Sequence, residues 1–366
     1  MGFSRIQIYV LKRVLASVFV VLLLITAGEL LVDFVSVSRD VGSRVDIGPA
    51  QVGRLTLMKA PAVLLVLLPF VFLFGVLAAY VALNRRSELI AMRAAGISAW
   101  RFITPAAVAA FVCGVLATTL VDPAASALNA RYEAERADLM KDYLAGSTPK
   151  EIWLRQGQGR AQVVIHAKSR AGGDSTVLKG VSAFFYRVDD QGVPQFERRI
   201  EASEARFVRG GVVLTNVRSA RPGGFVEHSD SLTLPSDVRD PAGLLRAANA
   251  DQVSFWDLPG TIRRARQAGL TSTAYQIQLQ QLFATPVLYA AMAVLAAAFS
   301  LRLIRLGGLA GLAGAGIALG FAFFFFNAVC GALGRSSIIP TYAAAWAPPI
   351  LALLSGLSLL CYTEDG

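Results

Sequence analysis

The residues able to do chemistry are few, and their spacing narrows what they can do. His166 and His228 are the only histidines, and neither belongs to an HExxH pair. Cys113, Cys330 and Cys361 lie in or beside apolar runs without CxxC spacing, so no zinc ligand set and no disulfide framework is indicated. No GK[ST] tripeptide occurs, so the chain has no P-loop to cradle ATP phosphates. Nothing marks a nucleophile elbow. What remains is charge placed against apolar sequence. Glu29 and Asp33 are one helical turn apart inside an apolar stretch, and Arg39, Arg44, Arg54 and Lys59 come after them. Glu88, Met92, Arg93 and Gly96 stand in a short polar segment between two further apolar stretches. Chemistry of this kind binds and transmits; the energy for any work would come from a partner.

The elements that position these residues are membrane spans. Hydrophobic residues make up 55% of the chain and charged residues 16%, against about 25% charged in soluble domains. Apolar stretches run over about 10–37, 60–84, 102–121, 271–301, 306–334 and 336–363. Each is long enough to span, at roughly 20 residues per crossing. The first is too long for a signal-peptide core and has no convincing cleavage site, so it reads as a span. The middle of the chain changes period. "AQVVIHAKS" (161–169), "VSAFFYRVDD" (181–190), "ARFVRG" (205–210) and "GVVLTNVRS" (211–219) are rich in β-branched and aromatic residues. Turns are expected at Asp190-Gln191-Gly192, Gly210-Gly211 and Arg221-Pro222-Gly223-Gly224. The expected fold is therefore an α-helical bundle of six transmembrane helices with an inserted antiparallel β-domain, a sandwich or β-jellyroll. Its parts are 1–121 (spans one to three), 122–270 (the β-domain with its connectors) and 271–366 (spans four to six).

Orientation is set by arginine and lysine near the span ends. Arg5, Lys12, Arg13, Arg85, Arg86, Arg93, Arg101, Arg302 and Arg305 fall on one side; Arg39, Arg44, Arg54, Lys59 and Arg335 fall on the other. The bias puts both termini in the cytoplasm and the β-domain outside. The net charge of +10 suits anionic headgroups or an anionic ligand.

Each constellation has a plain and a functional reading. In "NRRSELIAMRAAGISAWR" (84–101), Ser87 is placed to cap a short helix, Glu88 to complement its dipole and Gly96 to end it. Such a helix either rests on headgroups or docks into a groove on a soluble partner. Glu29 lies about 22 Å along the first span from Val14, within the outer part of the hydrocarbon. Glu29 and Asp33 either snorkel to the interface or line a cavity. Arg39, Arg44 and Arg54, and Arg263, Arg264 and Arg266 before the fourth span, match either phospholipid headgroups or a phosphorylated lipid substrate. In "GGLAGLAGAGIALG" (307–320), the pairs Gly307/Gly311 and Gly316/Gly320 permit close helix approach. That approach serves a partner subunit or the bundle itself. "FAFFFFNAVCG" (321–331) offers a bulky apolar wall to acyl chains or to ordinary lipid.

"RRSELIAMRAAGIS" resembles the coupling-helix signature of the LptF/LptG permease family of lipopolysaccharide export. The resemblance runs through "LLPFVFLFGVLAAYVALNRRSELIAMRAAGIS" (67–98), "IWLRQGQGRAQVVIHAKS" (152–169), "VSFWDLPGTIRRARQAGL" (253–270) and "SLRLIRLGG" (300–308), and is closer in detail to the LptG branch. It implies a permease that extracts lipopolysaccharide from the outer leaflet of the inner membrane. It implies pairing with LptF over two copies of the ATPase LptB, with LptC and periplasmic LptA as further partners. ATP and Mg²⁺ would be used by LptB, and no cofactor by this chain. Glu88 would dock into LptB, with Met92, Arg93 and Gly96 completing the coupling helix. Arg39 matches best the basic residues beyond the first span in relatives, whereas Asp33 stands where they often carry a basic or polar residue. Val164 and Phe184 are expected to face an apolar conduit for acyl chains in the β-domain. The rival readings are a membrane-anchored periplasmic scaffold and a proton-coupled secondary transporter using Glu29 and Asp33. The inserted β-domain and the lack of an inverted repeat weigh against the transporter.

The topology is checked by impermeant maleimide. Cysteines at Ser175 and Ser229 should label in intact spheroplasts, and cysteines at Gly2 and Gly366 only after the inner membrane is broken. Labelling at 175 only after breakage would overturn the orientation.

Overall fold

A computed structural model describes the chain apart from residues 1–4, 43, 46, 141–151, 157–160, 171–176, 189–193, 209–210, 236–252, 268–271, 304–308 and 365–366. It forms two compact units. One comprises Met1–Leu139, Asp251–Leu258 and Thr273–Gly366; the other comprises Met140–Ala250 and Pro259–Ser272.

The helical unit contains α1 (Arg5–Asp40), α2 (Pro49–Arg85), the short α3 (Glu88–Ala94), α4 (Ala99–Leu116) and α5 (Asp122–Leu139). After the second unit come α7 (Thr273–Leu303), α8 (Leu309–Arg335) and α9 (Thr341–Glu364); α6 (Leu258–Gln267) precedes them. Six helical stretches among the described residues are long and apolar enough to cross a membrane, with α4 and α5 forming one continuous stretch, Ala99–Leu139. α1 and α2 have 36 and 37 residues, roughly 55 Å each, so both outrun a hydrocarbon core of about 30 Å. The domain boundary drawn at residue 121 from falling hydropathy lies inside a continuous helix. α5 is polar, yet it prolongs α4 through a π-helical turn at Ala117–Val121.

That turn is a junction. Thr118 donates to the carbonyl of Leu282 (3.2 Å), and the Trp256 indole N–H donates to the carbonyl of Thr119 (3.1 Å). Buried Asp122 accepts the backbone N–H of Phe255 at 2.8 Å. The connector before α6 is thereby fastened to this junction through the Asp122 carboxylate and the Thr119 carbonyl, the latter a group that a regular helix would have consumed internally.

The core rests on small residues. Ala291, Ala293, Ala296, Ala297 and Ala298 of α7 are all buried, and α9 closes on them at Gly356, where an added Cβ would lie 3.0 Å from the Leu295 Cα. Tyr80, fully buried, spends its hydroxyl on the Phe102 carbonyl at 2.7 Å and so joins α2 to α4. α1 meets α2 at Gly75, where a Cβ would fall 2.6 Å from the Val18 Cα.

The second unit contains β1 (Ile152–Gln156), β2 (Ala161–Arg170), β3 (Val177–Val188), β4 (Pro194–Val208), β5 (Gly211–Ala220) and β6 (Glu227–Pro235). They pair antiparallel in chain order. The β-domain is thus present, and its described strands form a meander; a jelly roll's crossover pairings do not occur among them. Of the expected turns, 190–192 lies outside the described residues. The β4–β5 hairpin closes with Val208 opposite Gly211, and Gly224 N–H bonds the Arg221 carbonyl at 3.1 Å across a turn with Gly223 at φ +72°.

One face carries the apolar cluster, and the residues that form it change parity across the sheet. Ile165, Ala167, Val181, Ala183, Ile200, Ala202 and Val217 lie on one side of a line, and Leu178, Ala205, Val212 and Leu214 on the other. The line crosses the left-handed residues Gly180 (φ +62°) and Asn216 (φ +59°), where ladder pairing is interrupted. Pairing is skipped there on both strands and resumes in unchanged register, so no residue is inserted, and the change of facing appears in β3, β4 and β5 alike.

Gly75→Ala should lower the thermal midpoint in detergent, by about 1–3 kcal/mol of overpacking. Gly28→Ala, with nothing within 4 Å of its Cβ, should hold or raise it through helix propensity. Equal midpoints would show that α1 and α2 do not need this close approach.

Candidate coupling and substrate sites

α3 hangs between α2 and α4 by its buried face. Leu89 is fully buried within the helical core, with Met92 and Ile97 packed against the same cluster. The C-terminus closes as a Schellman motif. The N–H of Ile97 bonds the Met92 carbonyl (3.1 Å), that of Gly96 bonds the Arg93 carbonyl (2.9 Å), and Gly96 has φ +76°. The N-terminus differs from expectation. Ser87 is itself left-handed (φ 61°) and makes no side-chain cap bond, because α2 ends at Arg85 and the chain must reverse within two residues.

Glu88 is the acceptor in a short chain of polar contacts. The Tyr9 hydroxyl donates to Glu88 Oε2 at 2.8 Å, and Arg13 Nε donates to Tyr9 Oη at 3.2 Å. The Gln7 side chain donates to the Arg101 carbonyl at 3.1 Å. The start of α1 therefore touches both flanks of the α3 segment. Ile90 is 59% exposed, and Trp100, at the start of α4, is exposed as well. The helix thus presents an apolar side chain outward next to a carboxylate. The sequence alone does not mark Tyr9 or Ile90. Tyr9 is 79 residues from Glu88, and an exposed Ile looks like any other apolar residue until the buried face is known.

The second constellation contains two internal ion pairs and two exposed arginines. Asp33 is 7% exposed, and Lys59 Nζ lies 2.5 Å from its Oδ1. Asp33 Oδ2 has no hydrogen-bond partner among the described residues. Glu29 is half-buried one turn earlier on α1. Arg54 is paired with Glu135 of α5. Arg39, in the last turn of α1, and Arg44, just beyond it, are exposed. Of the basic residues grouped by sequence, Arg54 and Lys59 are thus tied to carboxylates within the chain. The anomalous acid at Asp33 is accounted for by Lys59, 26 residues away on the facing helix.

Gly316 and Gly320 pack within the chain. Added Cβ atoms would meet Leu77 (2.8 Å) and Leu73 (3.4 Å) of α2. Gly311 lies in α8, and Gly307 lies outside the described residues. Phe321, Phe324 and Phe325 on α8 are exposed, as are Phe19, Leu23 and Leu24 on α1. These faces are broad, apolar and without cover from the described residues of the chain.

In the β unit, Val164 and Phe184 are paired directly and share a face, but it is the face opposite Ile165 and Ala183. The apolar cluster takes Val163 and Phe185 instead. The expected facing of Val164 and Phe184 toward an apolar groove is therefore corrected by one residue. Phe184 lies under the Arg199 guanidinium, 5.4 Å from ring centroid to Cζ.

A six-span bundle interrupted after its third span by an antiparallel sheet, with a capped helix between spans two and three, agrees with one comparison. The family described as lipopolysaccharide export system permease LptF/LptG matches residues 8–362. The chain belongs to the LptF/LptG family. No curated protein matches it significantly. As an LptF/LptG permease it is a multi-pass transport subunit, not an enzyme. The family match covers both members and does not separate LptF from LptG.

Breaking the Asp33–Lys59 pair should cost about 1–3 kcal/mol, between the limits for exposed and fully buried pairs. Asp33→Lys and Lys59→Asp should each lower the thermal midpoint in detergent, and the double reversal should recover most of the loss. No recovery would show that the two residues are not each other's partner.

Proposed function

We propose that this chain is the LptG-type half of an ABC exporter that extracts lipopolysaccharide from the outer leaflet of the inner membrane. Both termini and α3 are cytoplasmic in this reading, and the β-domain is periplasmic. LptF is the other half, an LptB dimer binds ATP and Mg²⁺, and LptC and LptA receive the lipid on the periplasmic side. The exposed apolar faces of α1 and α8 suit a cavity shared with LptF, where lipid A acyl chains exchange bilayer contacts for protein contacts. Arg39 and Arg44 suit the lipid A phosphates, because guanidinium forks bind phosphate oxygens in pairs. The apolar face at Val163, Ile165 and Phe185 suits acyl chains leaving the membrane.

The single observation carrying this reading is the build of α3. It is rooted in the bundle by Leu89 and capped at Gly96, and it presents Ile90 outward beside the half-buried Glu88, which accepts from Tyr9. A seven-residue helix cannot hold its shape alone. Rooted in this way, it moves as one body with the ends of α2 and α4. ATP-driven closure of LptB then pulls on the bundle through α3.

Glu88→Lys should leave insertion and LptF pairing intact while loosening LptB and abolishing lipopolysaccharide release. Truncating one partner of a desolvated charge contact costs about 2–5 kcal/mol. LptB retention on purified complexes and ATP-dependent release are the readouts, and Glu88→Asp should keep part of both. Wild-type retention and release in Glu88→Lys would show that α3 is not the coupling element.

A further inference from the structure

At the α3 end of the bundle, an open groove of about 250 Å³ lies between α1 and α2. Its walls are small or apolar: Ala16, Ser17 and Val20 from α1, and Ala78 and Ala82 from α2. Arg13 of α1 and Arg86, just past the end of α2, both line it. Both arginines sit where uncharged sequence gives way to charge, immediately before Val14 and just after Asn84. From Arg13 to Val20, and from Arg86 back to Ala79, is seven residues, about 10 Å of helix rise. The antiparallel helices thus frame a slot that starts at two guanidinium groups and runs about 10 Å into apolar surroundings.

We propose that this groove binds one anionic glycerophospholipid, with its phosphate between Arg13 and Arg86 and an acyl chain along the alanine-lined walls. The charge argument selects the occupant. Two guanidinium groups line one slot, with Glu88 the carboxylate that acts on Arg13, and a phosphate offers oxygens to both forks. The small side chains leave room for a hydrocarbon chain where larger residues would fill the slot. A second transmembrane helix fits less well, because its diameter is about 10–12 Å with side chains and two arginines would meet it near the slot's mouth. Arg13 also donates to Tyr9, which donates to Glu88. A lipid phosphate on Arg13 is therefore linked through Tyr9 to the coupling carboxylate. The proposal rests on α1 and α2 being membrane spans, and it is independent of which substrate the exporter carries.

The test is native mass spectrometry of the detergent-solubilised permease complex, titrated with dioleoyl phosphatidylglycerol or dioleoyl phosphatidylethanolamine. Wild type should retain the phosphatidylglycerol in preference. Arg86→Gln, which leaves the Tyr9–Arg13 contact alone, should lower its retention about tenfold, as expected for losing a charge-assisted contact. Ala82→Trp should lower it comparably with both arginines intact, since Ala82 is exposed and the indole fills the slot. Inorganic phosphate should leave the lipid in place. Equal retention of the two lipids, wild-type retention in either variant, displacement by inorganic phosphate, or crosslinking of a cysteine at Ser17 to a partner helix would each overturn the site. ATP-driven lipopolysaccharide release in the same wild-type samples reports separately on the export reading.

Discussion

Leu89, buried beneath a seven-residue helix, joins that helix to the ends of α2 and α4, and transport as proposed depends on this attachment. Without it, α3 would be a surface loop and its movement would stop at the membrane face. With it, the segment shares a hydrophobic cluster with Tyr80, Leu83, Phe102 and Ile97, and its C-terminal carbonyls are satisfied at Gly96. α1 is drawn into the same assembly by polar contacts, from Tyr9 to Glu88 and from Gln7 to the Arg101 carbonyl. Three helices thus converge on one short element, which is the geometry a soluble motor needs to act on a membrane bundle.

The rest of the helical unit divides into a packed part and an open part. α7 is walled with alanine and accepts α9 and α4 closely, at Gly356 and at Gly114, where a Cβ would fall 2.5 Å from the Pro286 Cα. α1 and α8 are the least buried of the candidate spans and carry exposed phenylalanine and leucine. Such faces incur no penalty in lipid, where the hydrophobic effect gives no drive to cover them. They are the surfaces free to exchange lipid, substrate and partner helices. Two buried carboxylates of the helical unit are met within the chain. Asp33 is met by Lys59, and Asp122 accepts a backbone N–H. A carboxylate left alone there would be costly.

The spans were legible because a long, uninterrupted apolar run suits little besides a lipid bilayer. The α3 segment was legible because Glu88 and Gly96 bracket it. What escaped was set by distance or by local exceptions to alternation. β6 reads "EHSDSLTLP", polar on most positions, and the first half of β4 is "PQFERRI"; neither has the composition of a buried strand. Val163, Val164 and Ile165 are all apolar and Phe184, Phe185 and Tyr186 are all aromatic, so the faces of Val164 and Phe184 could not be read from alternation. Ser87 has the composition of a cap but sits in a reversal too tight to use its hydroxyl. The pairs Asp33–Lys59 and Arg54–Glu135 join helices that only the fold brings together. The depth of Asp33 in its span was visible, whereas its partner was not.

As proposed, this chain moves lipopolysaccharide with energy drawn from an associated ATPase. The most direct measurement uses proteoliposomes containing the wild-type chain purified with whatever ATPase and second permease accompany it, loaded with lipopolysaccharide. Transfer of that lipid to a soluble periplasmic acceptor is measured over time with and without ATP. The claim predicts time-dependent transfer that requires ATP and stops when hydrolysis is blocked. Steady ATP hydrolysis without any transfer of lipid, or a purified chain that brings no ATPase with it, would contradict it.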